Sequence, residues 1–143
     1  MRIDRHEKSA DFHTFVNAIF WGNAPGLDFA ASCDGACANV KGTINVSYSM
    51  VQTQYLNNGQ TVTFGEGIVT PVDPLFADPA NGDFHLKSMT GRWTPAGYVR
   101  DSASSPALAR GFPGGAVTDN PERAGRRNEL GAYGNSAEAS FTR

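Results

Sequence analysis

The chain has 143 residues, enough for one domain, with a net charge of −2 and 18% charged residues against the ~25% of average chains. That charge balance excludes nucleic acid as the main partner, because phosphate binding needs clustered Lys and Arg. No apolar run approaches the ~20 residues of a membrane span. With 16 Gly and 8 Pro, and with Val, Thr and Phe prominent over helix formers, the composition points to an all-β chain dense in turns.

In chain order, residues 1 to 11 are charged and lack the apolar stretch of a secretory leader. Residues 1–14 read as an N-terminal arm or cap. Thr14 to Trp21 then reads as one strand, ending at the turn Gly22-Asn23. Residues 24 to 42 form a long loop holding Cys33 and Cys37. Two readings of that pair stay open, a local disulfide or two free thiols. The Asp34-Gly35 turn between them favours the disulfide in an oxidising compartment. His6, His13 and His85 have no ligand spacing, so no metal is expected. Asp28 and Asp34 offer oxygens to calcium but lack the spacing of a calcium loop, and no cofactor is expected.

Thr43 to Val51 alternates apolar and polar residues and reads as a single half-buried strand. Thr61–Phe64 and Gly67–Val69 follow as short strands, and Pro71 and Pro74 mark a corner. Asp83 to Lys87 is a further strand, introduced by the turn Pro79-Ala80-Asn81-Gly82, and its alternation points His85 away from the core. Residues 89 to 127 read as mostly irregular, and a last short strand is expected over Leu130–Tyr133. Arg123, Arg126 and Arg127 sit among Glu122 and Glu129 and read as a solvated turn.

Several of these pieces, in this order, form a pattern. They are Asn17-Ala18-Ile19-Phe20-Trp21-Gly22-Asn23, Val46-Ser47-Tyr48-Ser49-Met50-Val51-Gln52, Asp73-Pro74-Leu75-Phe76-Ala77-Asp78 and Gly82-Asp83-Phe84-His85-Leu86. Ser104-Ser105-Pro106-Ala107-Leu108 and Gly131-Ala132-Tyr133-Gly134 complete it. The chain resembles the C-terminal portion of a right-handed parallel β-helix protein of the pectate-lyase-like superfamily. Ala109 departs from that pattern, which often has an aspartate before the glycine. The resemblance implies an all-β fold, a short right-handed parallel β-helix (a solenoid) with long loops and a C-terminal cap. Residues 1–143 would form a single domain at the C-terminal end of a longer solenoid. It also implies an extracellular or cell-surface location and a polysaccharide partner.

A solenoid stacks coils, and about three are needed for stability. An apolar coil left open near Phe12 implies a homo-oligomer formed through that N-terminal coil. The resemblance also implies sugar chemistry, for which two carboxylates or a positioned base are required. Asp73, Asp78 and Asp83 recur every five residues but occupy ordinary turn positions. No motif selects Arg92, Arg100 or Arg110 as a base, so the catalytic residues are unknown. Trp21, Trp93 and Tyr98 are the candidates for carbohydrate binding, because aromatic rings stack on the apolar faces of sugars. The alternative for each is ordinary packing. The resulting expectation is a non-catalytic, carbohydrate-associated terminal or assembly module. The alternative is a remnant or part of a polysaccharide lyase or glycoside hydrolase acting on acidic glycans.

Overall fold

The computed structural model describes residues 12–23, 43–52, 61–115 and 127–142. The N-terminal arm before Phe12, the loop with Cys33, Cys37, Asp28 and Asp34, and Arg123 and Arg126 lie outside the described residues. The described chain is all-β. Its strands are β1 (Phe12–Val16), β2 (Ile19–Phe20), β3 (Thr43–Ser47), β4 (Met50–Val51), β5 (Thr61–Phe64), β6 (Phe76–Asp78) and β7 (Asp83–Leu86). One 3₁₀ turn, Pro79–Asn81, joins the last two.

The first five strands make two parallel ladders. In one, β1 pairs with β3 and β3 with β5, so that Phe12, Thr43 and Thr61 stand in register, as do Phe15, Val46 and Phe64. In the other, Ile19 pairs with Met50, and Met50 in turn bridges to Val69. Parallel neighbours need long connections, which the chain supplies by returning to the same ladder after 31 residues and then 18.

The two strands expected over Thr14–Trp21 and Thr43–Val51 are each broken in the middle. The break falls at Asn17 (φ 61°) and at Tyr48 (φ 44°), both in the left-handed region. A single residue there turns an extended chain through a corner without ending its pairing. The corners stack as the strands do. The Asn17 amide donates to the Tyr48 carbonyl at 3.0 Å and the Tyr48 amide to the Glu66 carbonyl at 2.8 Å. Ser49, fully buried, accepts from the Ala18 amide and donates to the Ser47 carbonyl, so its hydroxyl stitches one corner to the next.

The corners place an apolar core on each side of the second ladder. Ile44, Val46 and Val51 pack with Phe20, Val62, Phe64 and Ile68 on one side. Met50, Leu86, Ala107 and Leu130 pack with Ile19, Val69, Phe76 and Leu108 on the other. Both residues of β4 are buried for this reason, each facing a different core.

The second core is roofed by the C-terminal half. Strands β6 and β7 form an antiparallel hairpin with Phe76 opposite Leu86. The Leu130 amide donates to the Ala107 carbonyl and the Gly131 amide to the Asn17 carbonyl, tying the tail to both layers. Leu130–Tyr133 does not form the expected strand. Gly131 takes φ 91° and the Ser136 amide closes back on the Tyr133 carbonyl at 3.0 Å, so the segment coils into turns.

Candidate functional site

The polar residues gather where β7, the turn after it and the tail meet. Strand β7 aims Asp83 and His85, two residues apart, to one side. The His85 Nδ1 lies 2.6 Å from the Asp83 Oδ1. The His85 backbone amide donates to the same oxygen at 3.1 Å. Contrary to the outward orientation expected of it, His85 is buried, with 7% of its surface exposed. The reason is aromatic cover. The Tyr133 ring stacks on the imidazole at 3.8 Å and 10°, and the Trp93 ring at 5.1 Å and 26°. The imidazole Nε2 makes no hydrogen bond, and a carboxylate oxygen of Glu138 stands 3.5 Å from it.

Arg92 organises the other flank. Its guanidinium forks onto Asp101, with Nε 3.1 Å from Oδ2 and Nη2 3.2 Å from Oδ1, and its Nη1 stands 3.6 Å from the Asp83 Oδ2. Burial works to raise the Asp83 carboxyl. The hydrogen bonds from His85, with the charges of His85 and Arg92, outweigh it and hold the group below the usual carboxylate range. Asp83 is therefore ionised and accepts only.

Ser88, fully buried, anchors the turn. Its hydroxyl donates to the Phe141 carbonyl at 2.6 Å and accepts from the Thr90 and Gly91 amides, while the Ser88 amide donates to the Asp101 carboxylate. Gly91 is needed there because a Cβ would collide with the Phe141 ring.

A second feature lies beside this cluster in the tail. Glu129, 3% exposed, lines a cavity of about 190 Å³ with Asn17, Asn128, Asn135 and Ser136. Burial pushes its carboxyl up to about 8, against the opposing hydrogen bond from the Ser140 amide at 3.3 Å.

The aromatic candidates divide. Trp93 and Tyr98 belong to the same turn, closed by the Arg92–Val99 bridge, and each has one face on a neighbouring ring: Trp93 on His85, Tyr98 on Phe141 at 4.2 Å. The Tyr98 hydroxyl also donates to the Ala137 carbonyl. Trp21 stands apart from that turn, half-buried just after β2. Of the recurring aspartates, Asp73 accepts from the Leu75 amide and Asp78 from the Asn81 side chain, both holding turns as expected, while Asp83 turns to His85. Arg100 and Arg110 are exposed. Among the described residues no group of three or more His, Cys, Asp and Glu is placed to hold a metal ion.

A family described as disaggregatase related matches residues 45–111. The chain is similar to that family from within β3 through the hairpin and the Ser88–Asp101 turn to Gly111. The match takes in Asp83, His85, Arg92, Trp93, Tyr98 and Asp101, and leaves Glu129, Tyr133 and Glu138 outside it. Its description differs from that of the superfamily whose motifs the sequence resembles, and the two are not in conflict. No curated protein and no solved structure matches the chain.

The sequence carried a signal for part of this site. Asp83 and His85 at i and i+2 on a strand share a face, and a carboxylate beside a histidine is a recognisable pair. Nothing local announced Glu138 or Tyr133, which reach His85 from some fifty residues along the chain.

Proposed function

We propose that the chain is a non-catalytic terminal module of a right-handed parallel β-helix, acting in assembly and associated with carbohydrate. The observation that carries this reading is the pair of parallel ladders advancing together. Each passage of the chain adds one strand to the first ladder, turns a corner at Asn17, Tyr48 or Gly67, and adds a rung to the second. That arrangement supports a reading as stacked coils. The last of them is followed by a hairpin and a tail that roof the neighbouring core.

The beginning of the stack supports the assembly role. Among the described residues β1 pairs with β3 alone, and Phe12 (71% exposed), Phe15 and Val16 are open to solvent on it. Apolar side chains exposed on a strand favour burial against another chain. Its occupant in this reading is a second copy of the chain.

Non-catalysis is supported by where the acids and the base lie. Asp73 and Asp78 hold turns, and His85 is buried beneath two rings. Carbohydrate association is supported by the resemblance and by the half-buried rings of Trp21, Trp93 and Tyr98.

Sedimentation velocity over a concentration series tests the assembly role. The chain should associate, and Phe12→Lys with Val16→Lys should return it to monomer, because charge on an exposed apolar strand opposes its burial. Monomer at every concentration would overturn it. A depolymerisation screen on uronate-containing polysaccharides should release no unsaturated product, and release would overturn the non-catalytic reading.

A further inference from the structure

The assembly role makes no use of the cavity that Glu129 lines in the tail. We propose that this cavity is a binding site for a small hydroxylated primary amine, held as its ammonium ion by the Glu129 carboxylate.

Two parts of the chain build the site. The corner after β1 brings Asn17, and the tail brings Glu129, Asn135 and Ser136. The Gly131 amide donates to the Asn17 carbonyl at 2.8 Å and holds the two parts together. Gly131, Ala132 and Gly134 also line the space, and their small size keeps it open. Glu129 is buried, whereas Ala132 and Asn135 are exposed. The carboxyl therefore sits at the inner end and those two residues at the mouth.

The carboxyl selects the charge of the ligand. Among the described residues its one hydrogen bond comes from the Ser140 amide at 3.3 Å, and no Lys, Arg or His pairs with it. Burial with so little compensation favours the neutral form, and a cation entering the cavity supplies the charge that favours the ionised one. A calcium ion does not suit the place, because it takes roughly six to eight oxygen ligands. The cavity offers one carboxylate, and among the described residues no group of three or more His, Cys, Asp and Glu could hold a metal. An ammonium group has only three N–H donors to satisfy. Glu129 and the side-chain amides of Asn17 and Asn135 can accept them, and the same amides suit hydroxyl groups beside the amine. The volume sets the size. About 190 Å³ exceeds the ~150 Å³ that holds a benzene ring, so the site has room for one six-membered ring or a short chain. The site stands on the cavity and needs neither the assembly role nor carbohydrate association.

Amide chemical-shift titrations near pH 7, where amines keep their proton, test the site with two matched pairs of probes. These are glucosamine against glucose and ethanolamine against ethylene glycol. The Leu130, Gly131 and Ser140 amides should shift saturably with an amine, and the Val46 amide of the first core should stay still. The amine should bind at least about tenfold more tightly than its neutral counterpart, the scale of one hydrogen bond to a charged group. Saturation by glucosamine alone would identify the ligand as an amino-sugar ring, and by ethanolamine alone as a short amino alcohol. Glu129→Gln should abolish the preference for the amine. Ala132→Leu, at the exposed mouth, should weaken amine binding by filling the space, with unmoved Ile44 and Val46 amides reporting an intact fold in both variants. No saturable shift, equal affinity for amine and neutral probe, or a preference that survives Glu129→Gln would overturn the site.

Discussion

At the residue scale, the informative side chains are those whose polarity contradicts their burial. Glu129 is the clearest: it is enclosed by the tail, with the Ser140 amide as a hydrogen-bond donor. Its carboxyl is raised in the folded chain to about 8 from an ordinary 4.5. A group raised on folding stabilises fully below its ordinary value and loses that contribution as pH rises through the folded one. As far as Glu129 is concerned, the chain should therefore be most stable below about pH 4.5 and lose stability progressively from there towards about pH 8. The total is roughly 5 kcal/mol at most, since each tenfold change in proton affinity is worth about 1.4 kcal/mol. Glu129→Gln should flatten that part of the profile, measured by urea unfolding at several pH values. An unchanged slope would show that the carboxyl finds solvent. Nothing in Asn128-Glu129-Leu130 announces this burial, because a glutamate beside one leucine is ordinary surface sequence. It is Ser140, eleven residues on, that completes the enclosure.

At the element scale, the corners matter more than the strands they separate. Alternation in Thr43–Val51 was legible, and Ile44 and Val46 are buried with Thr43, Asn45 and Ser47 less so. The break at Tyr48 was not legible, because a tyrosine at positive φ has no propensity signal and is imposed by stacking on the corners above and below. Gly67 reports that stacking. It adopts φ 70°, and a Cβ built on it would run into the Tyr48 ring. Gly67→Ala should destabilise the chain by more than about 1 kcal/mol from the backbone alone, with the collision added. Combining it with Tyr48→Ala should recover the collision but not the backbone cost. A double-mutant cycle in thermal unfolding checks this: strictly additive losses would mean that the ring swings clear.

At the scale of the whole molecule, β4 belongs to two cores, and that sharing makes them one cooperative unit. Met50 is fully buried in the second core while its neighbour Val51 is buried in the first. Met50→Ala should cost about 2–5 kcal/mol. It should shift the unfolding of both halves together, so that amide signals from Val46 and from Leu86 lose protection at the same denaturant concentration. Separate transitions would mean that the ladders and the roof fold independently. The sequence by itself determined the all-β character, the hairpin turn at Asn81-Gly82 and the turn roles of Asp73 and Asp78, because each depends on composition, alternation or a side chain bonding its own neighbours. Only the tertiary structure decided which strands pair in each parallel ladder, that His85 lies between two rings against Glu138, and that Glu129 is enclosed. Those facts depend on residues brought together across tens of positions of chain, as in the pairs Gly22 with Gln52 and Ser140 with Leu86, and local pattern carries no information about which distant segment arrives.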